Sequence, residues 1–129
     1  MPAFSFKRQF VEPIQAGTKH HTIRGERVDG RVPAKVGDQL SLFCGMRTKG
    51  CFRILPGTVP CTKVELITIE DAGRSSEDHF TKRVCIDGNP LDRSECQRLA
   101  QSDGFPDFGR MMMFWEGRLP FKGYIIHWR

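Results

Sequence analysis

The sequence predicts an α+β domain: a partly closed β-barrel of about five or six short strands, with α-helices added early and late. Three observations carry that prediction. Short apolar segments with period-two alternation recur between Gly, Pro and Asp turn signals. Helical spacing is confined to two regions, one near the start and one after Asp92. Finally, the chain lacks the Gly-rich phosphate fingerprints of the doubly wound and P-loop folds, which favours a β-rich architecture over a parallel βαβ sheet.

Ala3 to Phe6 reads as a first strand, and Phe10, Val11 and Ile14 then have the spacing of a short helix ending at Gly17. Lys19 to Arg24 contains the β-favouring pair Thr22 and Ile23. The Arg-rich stretch 25–35, broken by Gly30 and Pro33, is expected to be an exposed loop. After the Gly37-Asp38 turn, Gln39 to Cys44 alternates so that Leu40, Leu42 and Cys44 share a face, and the chain should turn at 45–50. Cys51 to Ile54, Val59 to Ile69 and Lys82 to Ile86 supply further strands. In the second of these, Glu65 shares a face with Ile67 and Ile69, an odd place for a carboxylate.

Asp92-Arg93-Ser94-Glu95 has the form of a capping box before a helix through Gln101, stopped by Gly104. Pro106 suits the first turn of a second helix, Asp107 to about Trp115, where Phe108, Met111, Met112 and Trp115 form an apolar stripe read as core. Phe121 to Trp128 closes the chain as a strand.

At 129 residues the chain is expected to be one domain, 1–129, long enough to bury roughly two thirds of its unfolded surface without metal or disulfides. Five Cys, an odd set without a Cys-x-x-Cys spacing, predict neither a disulfide framework nor a zinc ribbon. No apolar run approaches the roughly 20 residues that span a bilayer, and residues 1–7 lack a signal-peptide core, so the expectation is a cytoplasmic protein with no membrane partner. Charge is unevenly spread. Residues 1–63 hold 11 Lys or Arg against 4 Asp or Glu, and the rest hold 9 against 11, which points to a positive face for phosphate or another anion, or else to a solvated basic surface.

The segment Gly17-Thr18-Lys19-His20-His21-Thr22-Ile23-Arg24 resembles the ASCH family signature Gly-x-Lys-x-x-Glu-x-Arg, with Thr22 in the Glu position. The preceding Phe6 to Ile14 segment, the Val36-Gly37-Asp38 strand entry, the 99–105 helix end and the Phe121-Lys122-Gly123-Tyr124 strand fall in the order of small bacterial and phage-encoded members, so the resemblance spans nearly the whole chain. It implies a PUA-like barrel with a cleft beside the first helix, and a role in RNA binding. Thr in place of Glu looks like the branch containing small amidohydrolases of N4-acetylcytidine, in which a Lys, a Thr and a downstream carboxylate act together. Lys19 and Thr22 match the first two, and the carboxylate falls at Asp103, an Asp where that branch has Glu.

As an enzyme, the chain would use Thr22 as nucleophile, neutral Lys19 as general base, Asp103 to orient Lys19 and Arg24 to hold the oxyanion. As a binding module or a ribonuclease-like protein, it would hold RNA or a nucleoside with Arg24, His20, Arg27, Arg31, Arg47 and Lys49, and stack a base on an aromatic such as Phe6, Phe43 or Tyr124. On a strand, Lys19 and Thr22 point to opposite faces, so their convergence requires a turn after Gly17. By the same alternation His20 and His21 diverge, and neither His79 nor His127 has a recognisable ligand spacing. No metal and no cofactor are therefore expected.

Overall fold

A computed structural model describes residues 2–26, 29–71 and 82–129. The chain runs β1 (Ala3–Phe6), a 3₁₀ turn (Arg8–Phe10), α1 (Val11–Ala16), β2 (His21–Gly25), β3 (Gln39–Cys44), β4 (Phe52–Arg53), β5 (Val59–Pro60), β6 (Lys63–Asp71), β7 (Lys82–Ile86), β8 (Asn89–Pro90), α2 (Arg93–Ser102), α3 (Phe108–Trp115) and β9 (Phe121–His127). The α+β class is as predicted. Among the described residues nine strands, more than the five or six expected, lie in two sheets that do not form a closed barrel.

The first sheet has the order β1-β3-β4, with β5 also on β3; its β1–β3 pair is parallel. The second has the order β2-β9-β6-β7-β8 and is antiparallel throughout. One local feature explains why more strands form than the pattern suggests. The predicted run Val59 to Ile69 breaks at Cys61, whose N–H bonds Asp38 O at 2.8 Å while its own carbonyl accepts from Gly37 at 2.9 Å. With its backbone held there, the chain leaves the first sheet at β5 and enters the second at β6.

β6 and β9 pair over seven residues, from Lys63↔His127 to Ile69↔Phe121, and bury Ile67, Ile69, Ile125 and Ile126 completely or nearly so. Full burial contributes about 1.5–3 kcal/mol for each such side chain. Leu40 and Leu42 fill the core from β3, and Phe108, Met111, Met112 and Trp115 do so from α3, as the stripe predicted. Glu65 is accounted for as well: its Oε1 lies 2.6 Å from His127 Nε2 on β9, so the carboxylate on the apolar face has a partner.

α1 and α2 carry the ends their sequence foretold, whereas α3 begins at Phe108 with Asp107 as its cap, which leaves Pro106 outside the first turn where it was expected. Asp92 and Glu95 form a reciprocal capping box on α2, and Asp107 accepts from Arg110 N at the start of α3. α1 ends at Gly17 in the left-handed region, φ +82°, where a side-chain Cβ is disfavoured. Of the five free cysteines, Cys44, Cys61 and Cys96 are buried. No helix among the described residues is long and apolar enough to cross a membrane.

Candidate functional site

The turn at Gly17 places the first functional side chain. The N–H groups of Thr18 and Lys19 both bond the Pro13 carbonyl at 3.0 Å, wrapping the chain over the end of α1 before β2 begins at His21. Lys19 thus lies outside strand alternation, and its long side chain turns inward to 3% exposure. Its Nζ donates to Asp103 Oδ1 at 2.6 Å and to the Asp103 carbonyl at 2.8 Å. Asp103, itself 6% exposed, is the C-cap residue of α2 and is followed by Gly104 at φ +98°.

Thr22 and Arg24 come from β2 and share a face, two residues apart. Arg24 Nε donates to Thr22 Oγ1 at 3.0 Å, and Arg24 Nη2 donates to the Ser5 carbonyl of β1 at 2.7 Å. The guanidinium also lies 4.9 Å from the Phe6 ring centroid and 5.1 Å from that of Phe4, so aromatic faces and two acceptors fix its plane. Lys19 Nζ sits similarly, 4.9 Å from the Phe10 centroid.

These groups open onto one cleft of about 230 Å³. Lys19, Thr22, Arg24 and Asp103 line it together with Phe6, Phe10, Phe114 and Trp115, with Ser5, Lys7, Ile23 and Arg118 completing the wall. Trp115 Nε1 is buried without a hydrogen-bond partner, which leaves one wall residue with an unspent donor.

Burial sets the electrostatics. It pushes the Lys19 ammonium below its ordinary 10.5; Asp103 opposes that shift through its charge and hydrogen bond, the charge of Arg24 adds to it, and the net shift is downward. For Asp103, burial pushes the carboxyl up, but the approach of His21 and the charge of Lys19 pull harder and hold it below 3.8. His21 is 2% exposed and is lowered from 6.5, mainly by burial. Its Nε2 stands 3.1 Å from Asp103 Oδ1, within ion-pair distance but out of line for a hydrogen bond.

The predicted catalytic set of Lys19, Thr22 and Asp103 is thus brought to one cleft with Arg24. Other predicted binding residues lie elsewhere. His20 precedes β2, half-buried, and its carbonyl accepts from Trp128 N. Arg31 lines a separate hollow with Gly30, Pro33 and Lys35 and lies 3.7 Å from Asp29. Arg47 and Lys49 are exposed on the turn after β3, a turn tied to the cleft wall where Met46 N bonds Ser5 Oγ at 3.1 Å. Arg27 and His79 fall outside the described residues. Of the proposed stacking rings, Phe6 lines the cleft, whereas Phe43 lies under Arg53 and the Tyr124 hydroxyl faces Glu26.

The histidines correct one inference from alternation. Because His20 lies before the strand, it does not diverge from His21, and His20, His21 and His127 each bring a ligating nitrogen within 4.8 Å of the others. Nitrogens on one tetrahedral ion sit about 3.4 Å apart, so these rings would have to swing inward, with His127 drawn off Glu65, to share one.

Sequence reasoning missed His21, Lys7, Phe10, Phe114, Trp115 and Arg118. His21 stands inside the motif at a variable position and alternation sets it aside; the others come from segments without a local signal of function. Comparison of the chain with family models, curated proteins and solved structures returned no match.

Proposed function

We propose that this is a PUA-like domain of the ASCH type whose cleft takes the base of a modified nucleoside, and that it hydrolyses the amide of N4-acylated cytidine. The observation that carries the reading is the buried lysine: Lys19 Nζ, held 2.6 Å from Asp103, shares one cleft with a Thr hydroxyl that already accepts from Arg24. The cleft volume of about 230 Å³ suits a single unstacked base, and its Phe and Trp walls suit an aromatic ring.

Thr22 Oγ1 attacks the acyl carbon and passes its proton to neutral Lys19. Arg24 Nη1, uncommitted among the described residues, steadies the oxyanion. As the intermediate collapses, the C–N4 bond breaks and N4 takes the proton from Lys19, leaving cytidine and an ester on Thr22. Water then attacks the ester, Lys19 accepts its proton and returns one to Thr22 Oγ1, and the acid departs. At rest Lys19 is a cation paired with Asp103; burial, with a smaller push from Arg24, outweighs that pairing and lowers its pKa, so the neutral form that serves as base is easier to reach than in a free lysine.

A binding-only reading draws on the same pair, since Lys19 and Asp103 standing as a charged couple need no deprotonation to hold an RNA base. Incubation of the purified protein with N4-acetylcytidine, with cytidine separated from substrate, decides between them. Turnover that is lost in Thr22→Ala, partly retained in Thr22→Ser and lost in Lys19→Met is expected for the hydrolase. Absence of turnover together with saturable binding of the nucleoside would establish the binding module.

A further inference from the structure

Two cleft residues have no part in that chemistry. Lys7 follows β1 and Arg118 follows α3, more than a hundred residues apart in the chain, yet both side chains are exposed at the cleft and both lie over the same ring. Lys7 Nζ stands 4.9 Å from the Phe114 centroid and Arg118 Cζ 4.8 Å from it. Two cations sharing one ring can be no more than about 10 Å apart, inside one Debye length at moderate salt. Neither has a carboxylate partner among the described residues.

Like charges gathered on one face without a counter-charge repel each other, and an anion between them relieves that repulsion. Arg24 and Lys19 do not serve as that counter-charge, being cations themselves and already bonded within the cleft. The arrangement therefore has a base-sized interior, walled in part by Phe and Trp rings, and an unneutralised cationic pair, Lys7 and Arg118, over Phe114.

We infer that Lys7 and Arg118 form a phosphate-ester subsite, so that the cleft takes a phosphorylated nucleotide in preference to a free nucleoside. The inference rests on the base-binding reading above and names its substrate class. The phosphate is that of a mononucleotide or of the backbone of a single-stranded RNA; both present the same singly or doubly charged oxygens to an ammonium and a planar guanidinium.

The test measures dissociation constants for N4-acetylcytidine, for its 5′-monophosphate, for a short oligoribonucleotide carrying one N4-acetylcytidine, and for inorganic phosphate alone, followed by calorimetry. Two exposed charge pairs predict that the monophosphate binds about tenfold more tightly than the nucleoside at low ionic strength. Lys7→Ala or Arg118→Ala should each remove about threefold of that gain, read as the ratio of nucleoside to monophosphate dissociation constants within each variant. A gain that grows further with the oligonucleotide assigns the phosphate to RNA; one complete with the monophosphate assigns it to a free nucleotide.

If the nucleoside binds or turns over but phosphate adds nothing, the subsite is refuted and the hydrolase reading stands. If inorganic phosphate binds and both alanine variants abolish it while no nucleoside binds, the subsite stands and the base-binding reading falls. Equal loss of nucleoside and monophosphate affinity within each variant would make these residues part of the wall alone and overturn the inference.

Discussion

Replacement of Asp103 by Asn is the sharpest probe of the buried pair, because Asn keeps the shape and one acceptor while removing the charge. At a separation of 2.6 Å and an effective dielectric near 20, the gross attraction between the two charges is about 6 kcal/mol, most of it offsetting the desolvation of two ions. Removing one partner leaves the other buried alone, which typically costs about 3–5 kcal/mol. Lysine has an escape: it can shed its proton. From an unfolded value of 10.5 that costs about 5 kcal/mol at about pH 7, which caps the loss.

The escape gives Asp103→Asn a signature in pH. Lys19 has a folded value below its unfolded one, so the unfolded chain binds the extra proton and stability rises with pH between the two values. Without Asp103 the folded value drops further, so the deficit of the variant should be larger at about pH 7 than at about pH 10, shrinking as the pH rises through the folded value of the wild type. Urea unfolding of both proteins at about pH 7 and about pH 10 measures this. A loss under about 1 kcal/mol at neutral pH, or a loss that does not change with pH, would refute the account of Lys19 as a buried cation held by Asp103.

Two further outcomes follow from the same geometry. Acidification should destabilise the wild type in two stages: below 6.5 the unfolded chain protonates His21 while the folded one resists, and below 3.8 it protonates Asp103 while the folded carboxyl stays ionised. Both groups bind protons more readily in the unfolded state, so both effects lower stability as pH falls, and a thermal melt series from neutral to acid pH with Asp103→Asn alongside should lose the lower stage in the variant. Gly123→Ala should cost about 3 kcal/mol or more and also reduce turnover, because a Cβ there would run into the Arg24 carbonyl across the β2–β9 ladder and the Phe121 ring at 2.6 Å, forcing apart the strand that carries Thr22 and Arg24; a variant of wild-type stability and activity would contradict that packing.

What the sequence disclosed and what it withheld divide along the range of the forces involved. Two helix ends were legible because caps act within four residues: Asp92 with Glu95 and Gly17 after α1 stand where the pattern placed them, whereas α3 starts one residue later than read, with Asp107 as its cap. The strands were legible as alternation, but their division was not. The break at Cys61 depends on a backbone exchange with Gly37 and Asp38, more than twenty residues away, and no local propensity signals it. The same limit governs the site. Lys19, Thr22 and Arg24 were read from an eight-residue motif, whereas the walls Phe10, Phe114 and Trp115, and the cations Lys7 and Arg118, meet only after both sheets and α3 have packed.

Alternation misled in one place, and the reason is physical. Period-two logic holds only for residues inside a ladder, and β2 begins at His21. Lys19 and His20 belong instead to the turn that the left-handed Gly17 creates, where side-chain direction follows the bonds of Thr18 and Lys19 to Pro13. That turn is what lets a lysine three residues before Thr22 enter the same cleft, so the feature that defeats the strand reading of the motif is the one that assembles it. It also ties chemistry to fold in an uneven way. The position of Thr22 depends on the β2–β9 ladder, while that of Lys19 depends on the α1 cap and on Asp103 at the end of α2. Loosening the helix cap should therefore disturb the base without moving the nucleophile, and loosening β9 should do the reverse.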